Sequence, residues 1–182
     1  MTDAIAPDDK DWTWVLERTC PECGLAAGSV APSTVAALVR ESTDRWIAVL
    51  DTPVEHLRAR PDPTRWTTLE YAAHVRDVLR LYRTRLALMV DADDPLFANW
   101  DQDVTAREER YNEQDPAIVA VELHEAGLAL ADAFGAIDGD QWQRRGRRSD
   151  GASFTIATFA QYMIHDPIHH LWDVGRPLTS LG

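Results

Sequence analysis

The chain has 182 residues, of which 45% are hydrophobic, and it carries a formal net charge of −12. This length and composition predict a globular domain with a sizeable core and exclude an intrinsically disordered chain. The negative charge argues against nucleic acid and anionic membrane surfaces as partners, because both repel it.

Three further features predict a cytoplasmic protein. No apolar run approaches the roughly 18 residues that a membrane-spanning helix needs. The first twelve residues are acidic and polar, which is unlike a secretory signal. The two cysteines require no disulfide framework, which fits a reducing compartment.

Proline and glycine divide the chain into a leader and a helical region. Residues 1–32 contain Pro7, Pro21 and Pro32 among several glycines, so we expect an irregular leader. Residues 33–182 form the predicted domain. Hydrophobic residues recur there at helical spacing in four stretches: residues 33–50, 67–90, 116–134 and 154–173.

Local signals support the starts of two helices. Thr67 with Glu70 forms a capping box, and Asp115 followed by Pro116 is a typical N-terminal cap. Nothing indicates a strand, so we predict an all-α four-helix bundle. The connections after the second and third helices are long enough for a crossover. Trp100 in the first of them is placed to line a pocket.

The histidines carry the strongest chemical signal. His165 and His169 are four residues apart, so on a helix their imidazoles lie one turn apart on one face and can bind the same ion. His74 lies midway along the second predicted helix, and ligands from facing helices meet in a bundle core. Neutral imidazoles suit zinc, nickel, copper or ferrous iron. A hydrogen-bonded or solvated histidine pair is the alternative.

Pro167 leaves the choice of the second ligand open. It removes the amide that would bond to the carbonyl of Met163, and its ring crowds that turn. A kink there would turn His170 toward the site in place of His169. Near His74, Glu70 and Asp77 lie at helical spacing to accept its second ring N–H. Asp77, Glu70 and His170 are the candidate proton carriers.

Two basic or sulfur-bearing features have open interpretations. Cys20 and Cys23, followed by Gly24, look like one knuckle of a zinc ribbon, which histidines or a second subunit would have to complete. A redox pair and a pair of reduced, partly buried thiols are the alternatives. Four arginines in one predicted loop could bind an acidic substrate or simply balance local charge: Arg144, Arg145, Arg147 and Arg148.

The second and fourth helices together resemble the DinB-like superfamily. The resemblance rests on Trp66, Glu70, His74 and Asp77, followed by a distant His-x-x-x-His in the segment His-Asp-Pro-Ile-His-His-Leu-Trp-Asp-Val. It covers residues 33–174. That segment is similar to the corresponding segment in an actinobacterial branch of the superfamily. The superfamily also includes mycothiol-dependent maleylpyruvate isomerases and bacillithiol transferases.

The resemblance implies an up-down-down-up bundle with one divalent metal on His74, His165 and His169. Zinc is the expected ion, with nickel or iron as alternatives. It further implies a thiol S-transferase or isomerase, in which the ion activates a thiol such as mycothiol for attack on a small molecule. A metal-dependent hydrolase and a non-catalytic metal-stabilised binding module are the alternatives. Relatives of this kind are often dimeric, which predicts a homodimer.

Overall fold

A computed structural model describes residue 5 and residues 11–178, and it is mostly helical. Residues 1–4 and 6–10 of the predicted leader, and residues 179–182 of the predicted bundle, lie outside the described part. In chain order the regular elements are α1 (Val35–Leu50), α2 (Val54–Arg58), α3 (Thr68–Asp91), α4 (Gln102–Glu108), α5 (Pro116–Gly135), β1 (Arg145–Arg147), β2 (Ser153–Thr155) and α6 (Ile156–Asp173).

The four long helices agree closely with the sequence prediction because their ends are encoded locally. The Thr67 side chain accepts from the Glu70 amide, and Glu70 accepts from the Thr67 amide, so the predicted capping box is confirmed. Asp115 likewise caps α5, with Pro116 at the first helical position. Each cap satisfies backbone N–H groups that have no partner within the helix.

The four long helices surround one hydrophobic core. Helix α1 packs on α5 and α6, and α3 packs on the same two helices, so α1 and α3 lie across the bundle from each other. Trp46 on α1 is fully buried, and its indole N–H donates to the carbonyl of Pro167 on α6 at 3.0 Å. Within residues 11–178, no helix is long and apolar enough to cross a membrane.

The expectation that the chain contains no strand is wrong. Strands β1 and β2 form an antiparallel pair in which Gly146 lies opposite Phe154. Each has three residues, which is too short for an alternating pattern to stand out in the sequence. A side chain on Gly146 would overlap Phe97 and Met89, so the absence of a Cβ lets the hairpin pack against the bundle.

The leader is held against helix α6. It contains short 3-10 segments, and Val15 and Ala27 within it are fully buried in the same core as the bundle. Cys20 is fully buried as well. The Gln161 side chain on α6 donates to the carbonyl of Val30 at 2.8 Å. The leader therefore shares its interior with the predicted domain, and it brings its two cysteines to α6.

The crossing of α1 and α5 depends on a glycine. A Cβ placed on Gly127 would overlap the side chain of Thr43, which is itself buried. We expect Gly127→Ala to lower the free energy of unfolding by about 1–3 kcal/mol through overpacking. Gly135→Ala, in the same helix but with open space around it, is the control and is expected to be neutral or mildly stabilising. Urea unfolding of both variants measures the difference, and equal stability would contradict this account.

Candidate metal centre

Helices α3 and α6 bring His74, Asp166 and His170 together. One ligand atom from each lies within 4.8 Å of the other two. His74 is fully buried, and its ring stacks on Trp100 with the ring centres 5.6 Å apart. Asp166 and His170 are four residues apart on α6, so they share one face of that helix.

The spacing of these three groups fits ligands of one ion better than a hydrogen-bonded cluster. Asp166 Oδ2 lies 3.5 Å from His74 Nε2 and 3.9 Å from His170 Nε2. Both distances exceed the range of about 2.7–3.2 Å that is typical of N–H···O bonds. Two ligands on a tetrahedral zinc ion, with bonds of about 2.0–2.1 Å, lie about 3.4 Å apart.

Two atoms of this group have unmet hydrogen-bonding capacity. His74 Nδ1 and Asp166 Oδ1 are buried and have no hydrogen-bond partner among the described residues. A buried polar atom without a partner costs free energy. Burial would raise the pKa of the Asp166 carboxyl, but the adjacent His74 and His170 rings hold it at about 2, so Asp166 is an anion at neutral pH. An anion beside two imidazoles is a suitable donor set for a divalent cation.

Asp173 orients the His170 ring. His170 Nδ1 lies 2.8 Å from Asp173 Oδ2, and Arg65 donates to the same carboxylate at 2.9 Å. Burial would raise the pKa of Asp173, but its hydrogen bond to His170, together with the nearby His169 and Arg65, lowers it. A carboxylate that holds the proton on Nδ1 leaves the Nε2 lone pair directed at the site, an arrangement common behind metal-binding histidines.

A second group gathers on the adjacent face of α6. Here His165 and His169 meet Cys20 and Cys23 of the leader, again with one ligand atom of each within 4.8 Å of the others. Burial, assisted by the neighbouring His169, lowers the pKa of His165 to about 4, so its ring is neutral at pH 7. Burial raises the pKa of Cys23 to about 12, which disfavours a redox role because the thiolate is the reactive form.

The structure therefore does not bring His74, His165 and His169 into one group. Successive residues on a helix point about 100° apart, so the 165/169 pair and the 166/170 pair face different neighbours. The first pair faces the leader and the second faces α3. Helix α6 continues through Pro167, and His169 and His170 each lie in a different candidate group. Asp166 and His170 are also four residues apart, but the sequence prediction favoured the His165–His169 pair because His-x-x-x-His is a common metal-binding pattern.

Neither predicted partner of His74 accepts a hydrogen bond from its ring. Asp77 accepts from Arg76 at 2.9 Å and from the Tyr111 hydroxyl at 2.5 Å, and it does not line the cavity beside the histidines. Glu70 accepts from the Thr67 amide and from Arg60. The buried Arg76 guanidinium needs a counter-charge, which is why Asp77 turns to it.

A cavity of about 450 Å³ opens onto this end of α6. Its wall includes Trp100, as the sequence suggested, together with Asp166 and His170. Two arginines also line it, Arg85 from α3 and Arg148 from the turn after β1. Of the four clustered arginines, only Arg148 reaches the cavity.

Comparison with known proteins places the fold. A sequence model of the DinB superfamily matches residues 38–174. The chain belongs to the DinB superfamily. No curated protein matches it significantly. Among solved structures, this DinB-superfamily chain is similar to YfiT from Bacillus subtilis, with a TM-score of 0.62 and 14% identity over 93% of this chain and 90% of YfiT. YfiT is described as a probable metal-dependent hydrolase with an unusual four-helix bundle topology.

Proposed function

We propose that this DinB-superfamily protein is a divalent-metal-dependent enzyme that acts on a small molecule in the cavity, with His74, Asp166 and His170 as the metal ligands. The observation that carries the proposal is the convergence of these three donor groups from two helices. Two of them, Asp166 and His170, lie at the wall of that cavity. Three protein ligands leave a coordination position for water or substrate, as in catalytic rather than structural metal sites.

Hydrolysis is the reaction we favour. A divalent ion on these ligands would supply Lewis-acid activation of water near neutral pH. Asp173 holds the His170 proton on Nδ1, and the anionic Asp166 would offset part of the charge of such an ion. The description of YfiT as a probable metal-dependent hydrolase agrees with this reaction. The resemblance drawn from the sequence adds a low-molecular-weight thiol such as mycothiol as a second nucleophile to test.

Arg85 in the cavity wall favours a substrate with an anionic group, although Asp101, Asp103 and Asp150 line the same cavity. Arg85 is only 8% exposed, and no carboxylate within salt-bridge distance accompanies it among the described residues. One guanidinium nitrogen donates to the carbonyl of Ala98, whereas Nε is buried without a partner. Burial lowers the pKa of Arg85, because it removes water from around the charged guanidinium. A carboxylate or phosphate on the substrate would supply the missing partner.

Metal analysis tests the site. We expect the His74→Ala/His170→Ala variant to lose about one divalent ion per chain relative to wild type, because only one protein ligand would remain. His124→Ala, which changes an exposed histidine on α5, is the matched control and should retain full metal content. Elemental analysis of purified protein makes the comparison and distinguishes zinc, nickel and iron. Equal metal content in all three proteins would refute the site.

A turnover assay tests the reaction. Esters and amides with carboxylate or phosphate groups, each with and without mycothiol, are incubated with wild type and with the two variants. Turnover is expected from wild type and from His124→Ala only, and to be lost on chelation and restored by metal. Metal binding without turnover across the panel would favour a binding module instead, and thiol-dependent turnover alone would favour transfer over hydrolysis.

A further inference from the structure

We propose that Cys20, Cys23, His165 and His169 form a second metal site, a closed zinc site that fastens the leader to helix α6. One ligand atom from each of the four side chains lies within 4.8 Å of the other three. Two cysteines and two histidines are a ligand set of structural zinc sites. The cysteines come from the leader and the histidines from the last helix, so an ion here joins segments far apart in the chain.

The distance between a cysteine and a histidine of this group matches zinc coordination. Cys20 Sγ lies 3.6 Å from His169 Nδ1. Zinc bonds of about 2.3 Å to sulfur and about 2.0–2.1 Å to nitrogen, at a tetrahedral angle, place two ligands about 3.6 Å apart. A hydrogen bond between the Cys20 thiol and the His169 imidazole would also explain this distance. It would not explain why Cys23 and His165 lie in the same cluster.

His165 supplies an independent observation. Its Nε2 atom is buried without a hydrogen-bond partner among the described residues, and the whole residue is only 5% exposed. A buried ring nitrogen without a partner costs free energy, which a bound ion would relieve.

The backbone of the leader presents both sulfurs to this point. Gly24 has φ +78°, and its amide donates to the carbonyl of Cys20 at 3.0 Å. The amide of Cys20 in turn donates to the carbonyl of Leu25 at 2.9 Å. Glycine adopts this positive φ without the strain of a side chain. The turn therefore places two thiols that are three residues apart in one cluster.

The surroundings suit a buried ion. The Trp12 ring covers the imidazole pair, with ring centres 5.6 Å from His165 and 5.2 Å from His169. The His169 Nε2 atom, opposite the Nδ1 atom that faces Cys20, lies 3.5 Å from the Glu22 carboxylate and 3.7 Å from the Asp173 carboxylate. Carboxylates behind a metal-binding histidine fix its orientation.

The charges and ligands of this site balance. Zinc binding releases one proton from each thiol to solvent, and the two thiolates with two neutral imidazoles neutralise the 2+ ion. Four protein ligands leave no open position, so the ion holds structure rather than reacting. This site thus differs from the three-ligand group by its number of protein ligands, although His165 and His169 also line the cavity.

Cobalt substitution tests the proposal, because the chain contains only two cysteines and any thiolate signal must come from them. Metal-free wild type titrated with Co²⁺ is expected to bind about two ions per chain and to show thiolate-to-cobalt charge-transfer absorption. Cys20→Ser/Cys23→Ser should lose that absorption and about one ion. His74→Ala/His170→Ala should lose the other ion and keep the absorption, so the two sites fail separately.

Thiol labelling of the wild type decides the matter even if the cysteine variant does not fold. The thiols of the zinc-loaded protein should react many-fold more slowly than those of the chelator-treated protein. Absent charge-transfer absorption, or equally fast labelling with and without zinc, would overturn the proposal. So would a Cys20–Cys23 disulfide that forms readily while zinc is bound.

Discussion

Asp77→Ala is expected to lower the free energy of unfolding by about 3 kcal/mol and to leave metal content unchanged. Arg76 is only 5% exposed, and its guanidinium binds Asp77 through two hydrogen bonds of 2.9 Å. Removing Asp77 leaves a buried cation with Glu122, at 2.9 Å, as its remaining carboxylate partner. The loss therefore falls at the low end of the range for breaking a buried ion pair.

The pH dependence of the same variant has a defined sign. Burial would raise the pKa of Asp77, but hydrogen bonds from Arg76 and Tyr111 outweigh it and lower that pKa. A carboxyl with a lowered folded pKa stabilises the protein above its unfolded pKa of about 3.9, and this contribution is lost as the pH falls through the folded value. The stability difference between wild type and Asp77→Ala should therefore shrink below about pH 4.

An exposed ion pair provides the control for this prediction. Asp132→Ala removes the partner of Arg40 at the surface, where both side chains are well exposed, and should cost less than about 1 kcal/mol. Urea unfolding at several pH values measures both variants, and elemental analysis measures their metal. If Asp77→Ala lost metal while remaining as stable as Asp132→Ala, Asp77 would belong to the metal site after all.

Asp173→Asn is expected to weaken metal binding at His74, Asp166 and His170 by about 10- to 100-fold. The Asp173 carboxylate holds the Nδ1 proton of His170 at 2.8 Å, and an amide would do so without the negative charge that raises the basicity of the ring. None of the three proposed ligands is altered, so the ion should still bind.

Competition against a chelator of known affinity measures this effect. Because Asp173 also lies 3.7 Å from His169, the comparison is made with both cysteines replaced by serine, which isolates the cavity site. Asp91→Asn, at an exposed position in the last turn of α3, is the control. Equal affinity of the Asp173 and Asp91 variants would show that Asp173 does not tune the site.

The fold was largely predictable because its signals are local. Helical periodicity and the caps at Thr67 and Asp115 lie within a few residues of the elements they define. The hairpin and α4 were missed because each is short and polar. The up-down-down-up order of helix directions and the homodimer stay predictions.

The candidate sites were only partly predictable, because the rotation of α6 about its own axis decides which of its side chains meet which neighbouring residues. The sequence pointed to His74, His165, His169 and His170, and it raised the cysteine knuckle and its completion by histidines. It could not show that His165 faces the leader while Asp166 faces α3. Nor could it show that the Arg76 guanidinium is buried and binds the carboxylate of the neighbouring Asp77.

The two overlapping pairs of proposed ligands on α6 would restrict both the rotation and the lengthwise position of this helix. Residues 165 and 169 face one segment and residues 166 and 170 face another. A shift of α6 by one residue would place Asp166 where His165 now lies, beside the cysteines. It would also leave no Asp–His pair facing His74. If both groups bind an ion, as proposed, the two ions would together select one rotation and one lengthwise position of α6 among the packings that the apolar core alone would accept.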